Sequence, residues 1–202
     1  MEVALFLKSL VLGLAIAAPL GPIGALCINR VLERGFWAGV AGGLGTGLAD
    51  AAYATLAALG FAAFSDLLAR IDLPLRLVGG IFMLWLGWRS LRPGPPRAAA
   101  RVSARDLLGT TIATFLLTVT NPMTILSFAA LFAGLGLASG KGGSFPVVAG
   151  VFAGSMLWWV VLSGGVALAR HRLPPGFALW VARLSGAVLI GFGLWALGSV
   201  FA

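Results

Sequence analysis

The sequence predicts an all-α integral membrane protein with six transmembrane helices, built as two inverted three-helix repeats in which helices 1 and 4 are broken. Three observations predict this fold class. The 202 residues are 60% hydrophobic and only 10% charged, and the mean hydropathy of +1.03 is far above that of soluble domains. The apolar residues fall into six runs with charged connections between them. Two of these runs contain a proline interruption.

Each apolar run is long enough, or nearly so, for the roughly 20 residues that cross the hydrocarbon of a bilayer. The predicted spans are 3–28, 36–64, 75–91, 107–137, 145–169 and 178–201. The 29 glycines and the missing strand-like alternation favour packed helices over barrel strands. A cleaved signal peptide is the alternative for the first run, because residues 15–17 read Ala-Ile-Ala. The apolar stretch nevertheless continues to Ile28, which favours a span.

The connections contain most of the charge and predict the orientation. The third connection, 93–106, is rich in arginine and proline, and we interpret it as a cytoplasmic linker between a first repeat, 1–92, and a second, 107–202. Ten Lys and Arg residues lie on the side of the odd-numbered connections and four on the other side. The positive-inside rule then places the odd connections in the cytoplasm and both termini outside. Because the net charge of +8 is scattered, it indicates lipid headgroups and not nucleic acid as the partner.

The two halves of the chain also resemble each other. The segment "RLVGGIFMLWLGW" (76–88) aligns with "RLSGAVLIGFGLW" (183–195), with Arg, Leu, Gly and Trp at matching positions. Each half contains three spans, an odd number, so the two copies are inverted relative to each other, as in many secondary transporters. Chance similarity between glycine-rich helices is the alternative.

Proline interrupts spans 1 and 4. Pro22 and Pro122 lack the N–H group that an uninterrupted helix uses, and the preceding Gly21 and Asn121 suit the N-cap of a new helix. Each break is therefore expected to place a helix N-terminus, with its partial positive charge, inside the protein, where it can hold a carboxylate. Nearby threonines can add hydrogen bonds; they are Thr118, Thr120 and Thr124. Simple proline kinks are the alternative.

Asp50 is the acid that lies deepest in an apolar run, fourteen residues from either end of 36–64. Exposure of a carboxylate to lipid at that depth would cost roughly 2.5–3.5 kcal/mol, so we expect Asp50 to face the bundle interior. There it can carry a proton or receive an ammonium group. The alternative is a structural role, with the carboxylate hydrogen-bonded to a threonine or to Tyr53. The glycines that precede Asp50 on its helix predict close helix packing.

The sequence argues against enzymes, cofactors and resident metals. The one histidine, His171, lies in a connection between two arginines, and no Cys/His/carboxylate cluster has the spacing of a metal site. The one cysteine, Cys27, excludes a dithiol electron carrier, and its apolar surroundings predict a buried structural thiol. A lipid-active enzyme with Asp50 as base lacks a paired nucleophile.

The stretch "PLGPIGALCINRVLERGFWAGVAGGLGTGLADAAYATLAALG", followed by "TNPMTILSFAALF", resembles the lysine and homoserine/threonine exporter (LysE/RhtB) family of bacterial membrane transporters. The likeness covers nearly the whole chain. The resemblance implies amino-acid export across the inner membrane, proton antiport, and a homodimer. Met123 departs from the pattern, since many family members have Lys after Asn-Pro, and this leaves the substrate more open.

Together these features predict a transport mechanism. The N-termini at the two breaks hold the α-carboxylate of an amino acid, Asp50 receives the α-ammonium group or a proton, and one half of the protein rocks against the other. The residues expected to contribute are Asp50, Gly21, Pro22, Asn121, Pro122, Tyr53, Thr118 and Thr124. Two alternatives stay open: a metal or small-ion exporter of the same architecture, and a structural or assembly protein of the membrane.

Overall fold

The computed structural model describes residues 2–18, 22–59, 61–92, 103–121, 124–125, 128, 144–172, 174 and 176–200. These residues form α-helices and a short 3-10 turn at Arg170–Arg172, with no strand among them. The helices are α1 (Glu2–Ala17), α2 (Pro22–Arg34), α3 (Phe36–Leu59), α4 (Phe61–Leu91), α5 (Ala104–Val119), α6 (Ser144–Ala169) and α7 (Phe177–Gly198). The predicted linker, apart from its last residues, and most of the second half of span 4 lie outside the described residues.

The lengths and hydropathies of the described helices agree with a membrane protein. Phe145–Ala169 and Leu179–Gly198 are each long and apolar enough to cross a bilayer alone. Helices α1 and α2 meet the same criterion when they are taken together as one bent span. The total of six spans stays a prediction.

The predicted connection between spans 2 and 3 is wrong. The sequence predicts that span 2 ends at residue 64 and that span 3 begins at residue 75, whereas α3 ends at Leu59 and α4 runs without interruption from Phe61 to Leu91. Charged residues in this stretch were interpreted as a loop, but charge is compatible with a helix that extends beyond the hydrocarbon. Pro74 lies inside α4, where it lacks the N–H that an interior residue normally donates.

Helices α4 and α7 pack against each other in opposite directions through two pairs of glycines. A Cβ added at Gly87 would lie 2.7 Å from the carbonyl oxygen of Gly186, and one added at Gly186 would lie 2.8 Å from that of Gly87. Gly80 and Gly193 face each other in the same way, seven residues away on each helix. Only glycine permits this backbone approach, and small residues are what helices in lipid use to pack closely.

The hydroxyl groups of α5 fix its direction against α3. Thr111 Oγ1 donates to the carbonyl oxygen of Ala41 at 2.9 Å, and Thr114 Oγ1 donates to that of Gly42 at 2.8 Å. Further along both helices, Tyr53 lies against Val119. Residue numbers therefore rise together, and α3 and α5 are parallel.

Helix α6 packs between α1 and α3. Gly150 faces the backbone from Phe6 to Leu10, and Gly154 faces that from Leu10 to Leu14, so α1 and α6 are parallel. On the α3 side the order is reversed, because Ser163 faces Gly39 whereas Ser155 contacts Asp50 farther along α3. Helix directions thus alternate along the chain as the six-span prediction requires.

Most of the described arginines lie at the end of the bundle where α3 and α5 begin and α6 ends. Arg70 and Arg76 are exceptions, and Arg76 bonds to Ser199 at the opposite end. The end of α4 lies at the same level, since the charge of Arg89 acts on Arg30 of α2. Two arginines cover tryptophan rings at this end: Arg89 lies 5.5 Å from the Trp85 ring centroid and Arg92 lies 4.3 Å from that of Trp88. Amphipathic aromatic rings beside cationic side chains are typical of a membrane interface. We call this end the arginine end.

Candidate functional site

Asp50 is buried, as predicted. Its side chain is 1% exposed, and it lies fourteen residues after Phe36, or about 21 Å along α3 at 1.5 Å per residue. Because α3 ends at Leu59, Asp50 is nearer to the end of its helix than to the beginning. The helix ends five residues earlier than predicted, so Asp50 is not at its centre. The prediction that the carboxylate faces the interior is confirmed.

The direct partner of Asp50 is Ser155 of α6. Ser155 Oγ donates a 2.7 Å hydrogen bond to Oδ2 of Asp50, and the Ser155 side chain is fully buried. In the described part of the chain, no basic side chain pairs with this carboxylate. A single hydroxyl compensates a buried negative charge poorly, so a proton or a cationic group is the partner that chemistry would supply.

Two neighbours of Asp50 on α3 connect it to the end of α5. Thr46 lies one turn before Asp50, and Thr118 Oγ1 lies 3.5 Å from Thr46 Oγ1, at the limit of hydrogen bonding. Tyr53 lies one turn after Asp50, and its hydroxyl donates a 2.6 Å hydrogen bond to the carbonyl oxygen of Val119. These contacts bring the last turn of α5 to the same level of the bundle as Asp50.

The second predicted break lies directly after this turn. Helix α5 ends at Val119, and the backbone bonds restart at Asn121, whose carbonyl oxygen accepts from the N–H groups of Thr124 at 3.1 Å and Ile125 at 3.2 Å. Asn121 is buried. The described N–H groups that follow the break are therefore bonded within the chain, and Pro122 lies outside the described residues.

The first predicted break separates α1 from α2. Helix α1 ends at Ala17, α2 begins at Pro22, and the two helix axes differ by 81°. The expectation that Pro22 begins a new helix is confirmed, and Gly21 lies outside the described residues. Ala17 and Ile23, on either side of this break, share a buried cluster with Leu117, one turn before the second break. Both interruptions thus border the same buried cluster.

The structure therefore gathers most of the predicted site at one level. Asp50, Tyr53 and Thr118 are in contact or joined by direct neighbours, and Asn121 and Thr124 follow on the same side of α5. The sequence analysis did not identify the principal partner, Ser155. A signal was available, because Ser155 is 105 residues from Asp50, close to the offset of 107 that relates segments 76–88 and 183–195.

The glycines of α3 and the nearby Cys27 serve helix packing. Gly45 faces Thr111 and Thr114 of α5, and Gly43 faces Trp159 of α6, so the predicted packing role of these glycines is confirmed. Cys27 is buried, with Sγ 3.8 Å from the carbonyl oxygen of Gly39. Within the described ranges, no three His, Cys, Asp or Glu side chains lie close enough together to hold a metal ion.

Comparison with known proteins agrees with this architecture. The chain matches the family model "LysE type translocator" over residues 14–199. It is 31% identical to "Uncharacterized membrane protein YahN" of Escherichia coli over 179 residues, 83% of this chain and 77% of that protein. It is 25% identical to "Putative amino acid efflux protein YcgF" of Bacillus subtilis over 197 residues, 95% of this chain and 94% of that one.

A third relative is "Chemotactic transduction protein ChpE" of Pseudomonas aeruginosa, 29% identical over 163 residues, 77% of this chain and 78% of that one. No solved structure matches the chain. The family model covers almost the entire sequence, including both interruptions and Asp50. The chain therefore belongs to the LysE type translocator family, whose members are membrane transporters and not enzymes.

Proposed function

We propose that this translocator exports amino acids from the cytoplasm, driven by the proton gradient, through alternating access at Asp50. The observation that carries the proposal is a buried carboxylate, 1% exposed, at the level where α5 ends, in a bundle that contains a second interrupted helix. Hydrocarbon disfavours both a buried charge and interrupted backbone unless they line a site for a polar molecule. The resemblance to a protein named for amino-acid efflux supports the choice of substrate.

In this mechanism the α-ammonium group of the substrate pairs with Asp50 and displaces a proton from it. The interruptions at Pro22 and Asn121 offer helix N-termini to the α-carboxylate. The described N–H groups after Asn121 are bonded to its carbonyl oxygen, so binding there requires these amides to exchange partners. Loss of the substrate on the far side lets Asp50 take up a proton again, which couples the two fluxes.

The helix directions support an inverted repeat as the moving framework. Helix pairs α1/α6 and α5/α3 are both parallel, whereas α3/α6 and α4/α7 are antiparallel, as a two-fold relation between the halves requires. We further propose that the arginine end faces the cytoplasm and that both termini lie outside, in the inner membrane of a bacterium.

The test is efflux from proteoliposomes that contain the purified protein and a panel of amino acids. Wild type, Asp50→Asn and the control Glu2→Gln are compared at two imposed pH gradients. Glu2 is an exposed carboxylate in the first turn of α1, so its variant controls for the loss of one negative charge. We expect efflux by wild type and Glu2→Gln to rise with the proton gradient, and Asp50→Asn to lose that dependence and most of its rate.

Proton-driven efflux by Asp50→Asn equal to wild type would reject the coupling role. Failure of wild type to move any amino acid of the panel would reject the substrate class. The metal or small-ion exporter is not favoured, because the relative "Putative amino acid efflux protein YcgF" is named for amino acids and the described residues offer no cluster of metal ligands. Metal-dependent flux in the same vesicles would reinstate it.

A further inference from the structure

One face of α3 runs from Asp50 to the arginine end and lacks side chains. Gly39, Gly43 and Gly47 recur every four residues and face α6, where Ser163, Trp159 and Met156 lie opposite them, respectively. We call this contact, from Gly39–Ser163 to Asp50–Ser155, the α3–α6 seam. On α3 it extends from Gly39 to Asp50, eleven residue steps or about 16 Å along the helix axis.

Two buried polar atoms of the seam have no hydrogen-bond partner in the described structure. They are Oγ of Ser163 and Nε1 of Trp159, and the two side chains are 0% and 2% exposed. Ser163 Oγ points toward Gly39, and the Cδ1 side of the Trp159 ring, next to Nε1, lies against Gly43. Buried polar groups are normally paired, and an unpaired one destabilises the conformation that buries it.

The bundle on the other side of Asp50 is different in character. A buried cluster surrounds Tyr53 there, and its other members are apolar: Leu12, Ala54, Ala57, Phe128, Val147 and Val151. The Tyr53 hydroxyl itself is bonded to Val119. Toward the end of α3, Asp50 is thus followed by an apolar cluster, and Ser9 Oγ, opposite Gly150, is one further unpaired buried atom on that side. Toward the arginine end, Asp50 is followed by a glycine-lined contact with two unpaired buried polar atoms.

We propose that the α3–α6 seam is the passage through which substrate and protons reach Asp50 from the arginine end, and that Ser163 and Trp159 line it. The inference rests on the proposed function and adds a route to it. The seam is closed in this structure, since Ser163 and Trp159 contact the glycines directly. Separation of α6 from α3 would expose Ser163 Oγ and Trp159 Nε1 to water. Because positions 39, 43 and 47 of α3 are glycines, they have no side chains that could block the opened space.

The test uses accessibility of an introduced thiol. Cys27, the one native cysteine, is replaced by Ala, and Ser163→Cys is introduced into that background. Ala57→Cys is the matched control, because Ala57 is equally buried but lies in the apolar cluster beyond Asp50. Membrane vesicles of both orientations are treated with 2-sulfonatoethyl methanethiosulfonate, an anionic thiol reagent that does not cross bilayers, and efflux and labelling are measured.

We expect Ser163→Cys to be labelled only from the arginine end, at least fivefold faster than Ala57→Cys from that side, with loss of efflux. Saturating substrate should slow the labelling. Arg172→Cys, at an exposed position of the arginine end, shows which vesicles present that end to the reagent.

Equal labelling of Ser163→Cys from both sides, or none while Arg172→Cys reacts and efflux continues, would overturn the passage. The Ser163→Ala variant tests the role of Ser163 in the passage without a thiol reagent. We expect a several-fold rise in KM for export, and unchanged kinetics would contradict that role. If wild type transports no amino acid but Ser163→Cys is labelled as expected, the passage stands and the proposed substrate fails.

Discussion

Ser155 of α6 donates a 2.7 Å hydrogen bond to Asp50 of α3, and both side chains are at most 1% exposed. The two residues belong to different halves of the chain, so the bond joins the halves at the buried carboxylate. Any movement that separates α3 from α6 breaks it. The hydroxyl therefore holds the carboxylate in place in this conformation. It also makes the protonation of the carboxylate sensitive to the position of α6.

Ser155→Ala is expected to reduce amino-acid efflux about tenfold or more, because a hydrogen bond to an ionised group contributes about 1.5–3 kcal/mol. Initial efflux rates in proteoliposomes measure the effect. Ser90→Ala is the control, since Ser90 Oγ bonds only to the carbonyl oxygen of Leu86 on its own helix. In an Asp50→Asn background the Ser155→Ala change should add little, and additive losses would show that the two residues act independently.

Tyr53→Phe is expected to lower the free energy of unfolding by about 1 kcal/mol, because it removes one hydrogen bond to Val119 and keeps the ring. The ring contact with Phe128, at 5.4 Å between centroids, should persist. Tyr53→Ala loses both interactions and should cost about 3–5 kcal/mol. Thermal unfolding of the detergent-solubilised protein distinguishes the two, and equal losses would mean that the hydroxyl provides most of the stabilisation.

Gly154→Ala is expected to destabilise the protein by about 1–3 kcal/mol, because the new Cβ would overlap the backbone of Leu10 on α1. Gly165→Ala on the same helix is the matched control, since nothing lies within 4 Å of the added Cβ there. The control should leave the melting temperature unchanged or raise it slightly. A melting temperature of Gly154→Ala that equals that of Gly165→Ala would contradict the close packing of α1 on α6.

The proposed orientation predicts which side of the membrane each end of the bundle faces. In the Cys27→Ala background, Glu2→Cys, just outside the first predicted span, should react with an impermeant thiol reagent in intact spheroplasts, and Arg172→Cys only in inverted vesicles. Both positions are exposed, so access and not burial decides the result. The reverse pattern would place the arginine end outside and reverse the direction assigned to the passage.

Much of the framework followed from physical constraints that are visible in the sequence. A carboxylate in an apolar run has to be buried, and Asp50 is buried. Proline begins a helix more readily than it continues one, and α2 begins at Pro22. Glycine at helical spacing permits close packing, and Gly43 and Gly45 contact α6 and α5.

Other features depend on how helices pack and therefore could not be read along the chain. Ser155 becomes the partner of Asp50 only because α6 packs antiparallel to α3, and many serines in apolar spans have no such role. The helical course through residues 65–72 depends on where the hydrocarbon ends, which composition alone does not fix. By contrast, the bonds from the Thr124 and Ile125 amides to the Asn121 carbonyl oxygen are those of a helix start, which the Asn-Pro pair does indicate.

The two glycine pairs between α4 and α7 have a mechanical consequence. Contact at one point would let the helices pivot, but reciprocal contact at Gly80–Gly193 and Gly87–Gly186, two turns apart, opposes both swivelling and sliding. Any change of shape would then displace α4 and α7 together as one stiff unit and leave the bending to connections such as the one before α7, where Gly176 has a φ of +90°.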